Sequence, residues 1–284
     1  MPLPSLLRVP IKSELDNRRA SPQSILDFIN LSLLDVVRWE DDFLGDTLHG
    51  GYQTATNGAA AAALAITAPT AAARHGLATM ESGTDDNGVS SFSLGEHFYG
   101  ENGAVMAAIV SINAVTSYKI EVGFNDQTVG TRAAGTDAVV NALGASGTAA
   151  TFYATDGAVW CVDTDAATTW QLAGVANAVV ATKVSPTNVG DRGQNAVPTA
   201  DVRELLVVAL SDGAARFMRA DMDDATTDMN RRFKQTYDSG WQAGFVTNTV
   251  ALTPSVVVQA RAGAANRILT IDYFGAWQYR YLNY

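Results

Sequence analysis

The sequence has a single cysteine and no long apolar run, and each absence excludes a class of protein. One thiol in 284 residues cannot form an intramolecular disulfide, so the fold depends on packing. That thiol, Cys161, lies in the alternating stretch 159–162, where we expect a small buried hydrophobic residue and not a nucleophile. No segment approaches the roughly 20 apolar residues that cross a bilayer, and prolines interrupt residues 1–15, which lack the apolar region of a signal peptide. We therefore expect no membrane partner, and synthesis in a cytoplasm without export by a standard route.

Charged residues make up only 17% of the chain, and their balance is acidic, with 19 basic and 29 acidic groups giving a net charge of −10. A nucleic-acid-binding surface needs clustered lysine and arginine, so we expect no nucleic-acid partner. Residues 1–40 hold five groups of each sign, so the whole net charge lies beyond them. An acidic surface keeps many copies soluble at high concentration, which suits a multi-copy component.

Residues 1–38 are predicted to form a separate N-terminal unit, an extended arm followed by one α-helix. Prolines favour an extended arm over residues 1–20, Ser21 is a suitable N-cap, and Pro22 fits the first helical position. The helix predicted over 22–37 is apolar around most of its circumference, so it needs contacts on several sides. It packs either in a groove of its own domain or against sister copies or another protein, and we favour the second. The predicted anchor residues are Ile25, Leu26, Phe28, Ile29, Leu33 and Leu34.

From Trp39 onward the hydrophobic period changes from 3.6 to 2, which is typical of strands. In the clearest stretch, 117–124, every second residue from Tyr118 is apolar, and the alternate residues include Lys119 and Glu121. This pattern predicts a half-buried antiparallel strand. Many short strands with turns between them and no interleaved helices predict a sandwich or barrel.

Turn dipeptides between apolar stretches predict β-hairpins, because Asn-Gly and Asp-Gly accept the positive φ angles of tight turns. A further hairpin is predicted between residues 255–260 and 267–274, and the glycine-rich stretch 130–147 is predicted to be a long surface loop between sheets. The three hairpin turns predicted from dipeptides are Asn87-Gly88, Asp156-Gly157 and Asp212-Gly213.

The opening stretch 39–43 (Trp-Glu-Asp-Asp-Phe) and the closing stretch 267–274 (Arg-Ile-Leu-Thr-Ile-Asp-Tyr-Phe) resemble those of a concanavalin A-like jelly roll. In that family the opening strand pairs with the closing strand. The body is rich in alanine, threonine and glycine, and in this it resembles virion structural proteins of tailed bacteriophages. The resemblance implies an all-β antiparallel jelly-roll sandwich over residues 39–284, preceded by the arm and helix. This fold hosts lectins, glycosidases and structural proteins, so it implies no role by itself.

No catalytic carboxylate motif is present in the sequence. Glycoside hydrolases of the resembled fold use the spacing Glu-x-Asp-x-(x)-Glu, and this chain has no such run. Glu40, Asp41 and Asp42 are consecutive, so alternate side chains point to opposite faces of a strand and cannot all address one bond. We therefore expect that the protein is not an enzyme.

No metal or cofactor site is predicted. The densest acidic cluster, residues 221–224, lacks the glycine and regular spacing of a calcium loop, although whether it holds a metal ion is left open. Residues 85–88 (Asp-Asp-Asn-Gly) are predicted to be a turn. Structural zinc has no basis in one cysteine and isolated histidines. The three histidines are His49, His75 and His97.

Aromatic residues crowd the last twelve positions and are the remaining candidates for a binding face. We expect Tyr273 in the core, because its neighbours belong to a predicted strand. The others are expected at a subunit interface, with a platform that stacks on sugar rings as the alternative. These interface or platform aromatics are Trp277, Tyr279, Tyr281 and Tyr284.

Together these features predict a non-enzymatic, multi-copy structural protein of a bacteriophage virion, a capsid-decoration or head-fibre protein. The N-terminal arm would anchor the jelly-roll body to other virion proteins, such as a major capsid or tail protein. The apolar helix favours a homo-oligomer, with a trimer as one candidate. The alternative is a tail-associated, tail-fibre-like receptor-binding protein that recognises a host surface glycan.

Overall fold

The computed structural model describes residues 36–43, 48–57, 65–67, 76–127, 153–165, 167–180, 198, 200–222, 233–262 and 266–279, and the structural statements below concern these residues. Within them, sixteen strands form two eight-stranded antiparallel sheets. Their only helix is a 3-10 turn at Gly100–Asn102, and none is long and apolar enough to cross a bilayer. The predicted all-β antiparallel sandwich is therefore confirmed.

The chain crosses between the two sheets several times. In chain order they are β1 (Val36–Asp41), β2 (Gln53–Asn57), β3 (Ala65–Thr67), β4 (Leu77–Glu81), β5 (Val89–Ser93), β6 (Phe98–Tyr99), β7 (Val105–Ile112), β8 (Tyr118–Asn125), β9 (Gly157–Asp163), β10 (Ala167–Ala176), β11 (Val179–Val180), β12 (Glu204–Ser211), β13 (Ala214–Met222), β14 (Phe233–Ala243), β15 (Ala251–Ala260) and β16 (Ile268–Tyr279). Sheet A has the order β14-β13-β12-β7-β16-β4-β3, and β1 also pairs with β16. Sheet B has the order β11-β10-β9-β8-β15-β5-β2, and β6 also pairs with β15.

The first and last strands pair with each other, as the resemblance implied. β1 runs antiparallel to the second half of β16, with Val36 opposite Tyr279 and Asp41 opposite Phe274. β16 has 12 residues, so its first half pairs with β4 on that side, while β7 pairs along the other side. The predicted pairing of the opening stretch with the closing strand is confirmed.

Val36 and Val37 belong to β1, although the sequence predicts them as the last two residues of a helix over 22–37. Their backbones pair with β16, and their β-branched side chains suit a pleated strand better than a helix. β1 therefore includes residues 36–38, which lie before the predicted boundary at residue 39. Residues 1–35, with the rest of the predicted helix and all six predicted anchor residues, lie outside the described residues.

The main core lies between the sheets, and Trp160 of β9 lies near its centre. Its ring makes edge-to-face contacts with Trp170, Phe217 and Tyr237, at centroid distances of 6.2, 5.7 and 5.6 Å. The indole Nε1 donates a hydrogen bond of 3.0 Å to the carbonyl oxygen of Val207 in the opposite sheet. This bond satisfies the only polar atom of a fully buried ring, so the large apolar area is buried without leaving a donor unpaired.

Strand β8 is buried on both faces, whereas its alternating sequence predicts a half-buried strand. Lys119 and Glu121, on the face pointing away from the core, are each only 1% exposed. The Nζ of Lys119 lies 2.5 Å from Oε1 of Glu121. An ion pair allows two charged side chains to be buried together, which a hydrophobic pattern alone does not reveal.

The turn predicted at Asp212-Gly213 is confirmed. It joins β12 to β13 within sheet A, with φ angles of +50° and +76°. Two consecutive positive φ angles match the right-handed twist of the flanking strands, which is why this dipeptide is a strong hairpin signal. The surface loop predicted at 130–147 lies outside the described residues.

The other three predicted hairpins are wrong, and at two of them the chain crosses between sheets. Asn87-Gly88 does form a turn, but it joins β4 of sheet A to β5 of sheet B. Residues 255–260 and 267–274 likewise belong to strands of opposite sheets. At the third, Gly157 begins β9, and residues 153–156 before it form no strand. A turn dipeptide predicts a reversal of the chain, but not the sheet that the next strand joins.

Close packing of the core predicts that a methyl group added at Gly174 destabilises the protein. A Cβ at Gly174 would lie 2.2 Å from Cδ1 of Phe245, whose ring is 4% exposed and has little room to move. We expect Gly174→Ala to lower the free energy of unfolding by about 1–3 kcal/mol, measured by urea denaturation. Gly50→Ala is the matched control, because a Cβ there has nothing within 4 Å. Equal urea midpoints for the two variants would contradict the packing argument.

Candidate functional site

β1 presents its side chains to two different environments, because successive residues of a strand point to opposite faces. Trp39 points between the sheets, where it packs against the main core, and Asp41 shares that face. Arg38 and Glu40 point outward from sheet A. The two faces hold two separate groups of polar and aromatic side chains.

The outward group is the Glu40 network, formed by Arg38, Glu40, Tyr273 and Trp277. Oε1 of Glu40 accepts hydrogen bonds from the Tyr273 hydroxyl at 3.0 Å and from Nε1 of Trp277 at 3.2 Å. Its Oε2 accepts a hydrogen bond from the guanidinium of Arg38. One carboxylate thus receives three donors and connects the side chains of β1 to those of β16.

The ring of Trp277 lies across Gly275, the residue directly opposite Glu40. A Cβ at Gly275 would lie 2.6 Å from Cη2 and Cζ2 of Trp277 and 2.7 Å from the Tyr273 hydroxyl oxygen. Glycine is therefore required here by the close approach of the indole to the backbone. It allows the indole N–H to reach the Glu40 carboxylate.

Tyr273 is half-buried on the outer face of sheet A, whereas the sequence predicts it in the core. The pairing of β16 with β7 shifts register between Ile271 and Tyr273, so both Ile271 and Phe274 face the core. Such a bulge reverses the inward and outward alternation of every later residue. Burial, and then the negative charge of Glu40, raise the pKa of Tyr273 well above its usual range, so its hydroxyl remains a neutral donor.

The predicted interface or platform aromatics fall in three different settings. Trp277 is 1% exposed and packs with a second cluster that includes Val105 and Val207, so its ring is not available to stack on a sugar or a subunit. Tyr279 is half-buried at the end of β16. Tyr281 and Tyr284 lie outside the described residues. Trp277 is therefore not a candidate for a platform that stacks on sugar rings.

The inward group is the Trp39 slot, formed by Trp39, Asp41, His49 and Tyr52. The rings of His49 and Tyr52 both meet Trp39 edge-on, with centroid distances of 4.6 and 5.4 Å. Gly51 lies against the same indole, since a Cβ there would be 2.4 Å from Cη2. His49 lies in a turn, and this turn covers Trp39 between β1 and β2.

Two buried polar atoms of the Trp39 slot interact with each other and with the Asp41 carboxylate, and make no other hydrogen bond among the described residues. They are Nε1 of Trp39 and the hydroxyl oxygen of Tyr52. Burial raises the pKa of Tyr52 well above its usual range, a hydrogen bond from the Trp39 indole opposes that rise, and the charge of Asp41 and a hydrogen bond to its carboxylate add to it. The three polar groups therefore lie close enough to influence one another. The Asp41 carboxylate also accepts a hydrogen bond of 2.7 Å from the backbone N–H of Phe43.

The outer face of sheet B brings together charged residues that the sequence analysis did not group. Glu121 lies opposite Cys161, and Lys119 lies opposite Asp163 on the neighbouring strand. Glu121 pairs with Lys119, and Asp163 with Arg261, and these four side chains are between 1% and 6% exposed. Two paired, buried carboxylates are poorly placed to exchange protons with a substrate. Cys161, 1% exposed, is the small buried residue that its alternating stretch predicts.

The predicted acidic cluster at 221–224 is only partly described, because Asp221 lies on β13 and residues 223–224 fall outside the described ranges. His49 and His97 lie in the described part of the chain, and His75 is outside it. Among the described residues, no three histidine, cysteine, aspartate or glutamate side chains are grouped as metal ligands.

Several solved structures are similar to this chain at low sequence identity, while no protein-family model and no curated protein matches it. One is SO2946, a protein of unknown function from Shewanella oneidensis MR-1, with 12% identity, a TM-score of 0.48, and 92% of this chain and 95% of that chain covered. The carbohydrate recognition domain of Emp47p has 11% identity, a TM-score of 0.46, and coverages of 87% and 98%. The Lotus tetragonolobus seed lectin has 5% identity, a TM-score of 0.45, and coverages of 86% and 99%. The fold class, a two-sheet antiparallel β sandwich, rests on the strand pairing itself.

The Glu40 network predicts that the carboxylate of Glu40 stabilises the contact between the first and last strands. Glu40→Ala leaves the donors of Tyr273 and Trp277 without their acceptor, so we expect a loss of about 1–3 kcal/mol in the free energy of unfolding. Glu40→Gln keeps an acceptor oxygen, so its loss is expected to be smaller. Asp42→Asn, an exposed neighbour, is the control. If urea midpoints of Glu40→Ala and Asp42→Asn coincide, the network contributes nothing to stability.

Proposed function

We propose that this chain is a non-enzymatic structural component of a bacteriophage virion, a capsid-decoration or head-fibre protein. Its body is a concanavalin A-like jelly roll, and the residues that precede β1 form an arm with one helix over residues 22–35. The apolar side chains of that helix, from Ile25 to Leu34, anchor the body to the particle. Copies associate about a symmetry axis, as a trimer or another homo-oligomer.

The observation that carries this proposal is the place where the two chain ends leave the sandwich. Val36 and Tyr279 are direct partners at the end of the β1–β16 pair, so the segments before and after the body join it at one point. A body attached at one point leaves the rest of its surface facing outward. That arrangement suits a fixture on the surface of a large particle.

Two further features support the proposal. The six expected anchor residues are apolar in sequence, and burying such side chains contributes roughly 25 cal/mol per Å², which favours association. The carboxylates on the outer face of sheet B are buried in ion pairs with Lys119 and Arg261, which supports a structural role for them. A non-enzymatic function is consistent with both features.

The proposal predicts that residues 1–35 are needed for attachment but not for folding. We expect a variant lacking residues 1–35 to keep the circular dichroism of a β protein and to be absent from particles assembled in infected cells. The cut falls before Val36 because β1 is part of the sandwich. A variant lacking residues 1–41 is the matched control, and its loss of β1 and of Glu40 should lower the melting temperature. Full occupancy of particles by the variant lacking residues 1–35 would refute the anchor.

A second candidate function is a tail-associated receptor-binding protein that recognises a host surface glycan. What supports it is the group of aromatic rings and polar side chains around Trp39, where His49 and Tyr52 meet the indole edge-on and Asp41 lies beside Tyr52. This role does not need Trp277.

A further inference from the structure

We propose that the apolar segment 22–35 packs against the outer face of sheet A of its own chain. The proposal concerns the same segment as the proposed anchor and goes beyond it, because it assigns one side of that segment to the body. The segment is apolar around most of its circumference. Its other side therefore remains available for a sister copy or another virion protein.

The first argument is that the outer face of sheet A carries a cluster of apolar side chains. A strand that is open to water on one face alternates apolar and polar residues, but β7 and β12 are almost continuously apolar. Every described strand belongs either to sheet A itself or to sheet B on its other side. Such a face is typical of a sheet that a further layer covers. Four outward-pointing side chains of the cluster are between 1% and 7% exposed: Val105, Ala107, Val207 and Ala209.

The second argument is that the segment is as long as this face is wide. Backbone pairing places one outward residue from each of six strands in a row, and with about 4.8 Å between strands the row is roughly 24 Å long. As an α-helix, the 14 residues of the segment would be about 21 Å long. The charge of Arg216 in the row is paired with Asp238. From β1 to β14 the row is Arg38, Trp277, Val105, Ala209, Arg216 and Trp241.

The third argument is the place where the segment joins the body. Val36 directly follows the segment, begins β1, and itself belongs to the apolar cluster. Tyr279, its partner across the strand pair, packs against the same cluster. The segment therefore starts at the edge of the face, and a few residues before Val36 suffice for the change of direction. So short a connection gives the segment a high effective concentration at this face, which favours its own chain over a second copy.

The fourth argument is the indole of Trp241 at the far end of the row. Its ring packs against the apolar cluster, and its Nε1 is buried without an acceptor among the described residues. Buried N–H groups of this kind are uncommon in folded proteins. A segment that starts at β1 and crosses the face would bring Gln23 to the β14 end, where its amide oxygen could accept this hydrogen bond.

The test follows the 19F resonance of Trp241 in the full-length protein labelled with 5-fluorotryptophan, assigned by its loss in Trp241→Phe. In the arm variant, defined below, we expect this resonance to move by more than its linewidth, while those of Trp160 and Trp170 in the main core stay in place. A control with Asp27→Ser and Asn30→Ser should move none of them. An unmoved Trp241 resonance in the arm variant would overturn the proposal. The arm variant carries Leu26→Ser, Phe28→Ser, Ile29→Ser and Leu33→Ser.

A second measurement changes the face instead of the segment. Leu205 is half-buried against the same apolar cluster. Leu205→Ala should lower the urea midpoint about twice as much in the otherwise unchanged protein as in the arm variant, which has already lost the contact. Val208→Ala, on the opposite face of β12, is the matched control and should lower the midpoint equally in both. Equal effects of Leu205→Ala in the two backgrounds would contradict packing on this face.

A mixture of labelled and unlabelled copies distinguishes the protein's own segment from that of a second copy. Labelled arm variant, refolded with an excess of unlabelled full-length protein, should keep the Trp241 resonance of the arm variant. If it takes the resonance of the full-length protein, a second copy supplies the segment and the proposal is wrong. None of these measurements needs a virus particle, so their outcome is independent of the proposed attachment, which particle occupancy tests.

Discussion

Backbone pairing between β1 and the second half of β16 is the interaction on which the other features of this body depend. It sets Glu40 opposite Gly275. Because Gly275 has no side chain, the indole of Trp277 lies close to the backbone there and donates to the Glu40 carboxylate. It also holds Trp39 between the sheets, where the ring meets His49 and Tyr52. Because side chains alternate along β1, one set of backbone hydrogen bonds positions both the outer network and the inner slot.

Buried polar groups in this protein divide into those that have partners and a few that do not. Arg219 pairs with Glu204 between the sheets, and Nε1 of Trp170 donates to the same carboxylate. Such pairs are not in themselves strong evidence for stability, but removing either member leaves an uncompensated buried charge. Buried pairs of this kind therefore restrict which residues can replace Arg219 and Glu204. The slot beside Trp39 lies between these two kinds, because its donors meet only each other and the Asp41 carboxylate.

Local patterns in the sequence predicted several of the strands, and they failed where long-range pairing decides the outcome. Period-2 alternation identified β8, and Asp212-Gly213 identified a true hairpin. The same kind of signal at Asn87-Gly88 gave a turn between sheets, because a dipeptide carries no information about the partner of the next strand.

The candidate sites were harder to predict than the strands. A single bulge between Ile271 and Tyr273 placed Tyr273 and Trp277 together on the outer face of sheet A, and no residue type in that stretch marks it. The Trp39 slot joins residues from a strand and from a later turn, so its convergence depends on tertiary structure. Its members, Trp39 and Tyr52, were visible in the sequence only as separate aromatic residues.

The register of the first and last strands has a mechanical consequence. Because Val36 lies directly opposite Tyr279, a force that pulls the two chain ends apart would open the strand pair like a zipper, breaking its hydrogen bonds one after another. A force that pulls residues before Val36 along the strand, against a body held elsewhere, loads all the hydrogen bonds of β1 in shear at once. The body therefore resists tension along β1 better than it resists separation of its two ends.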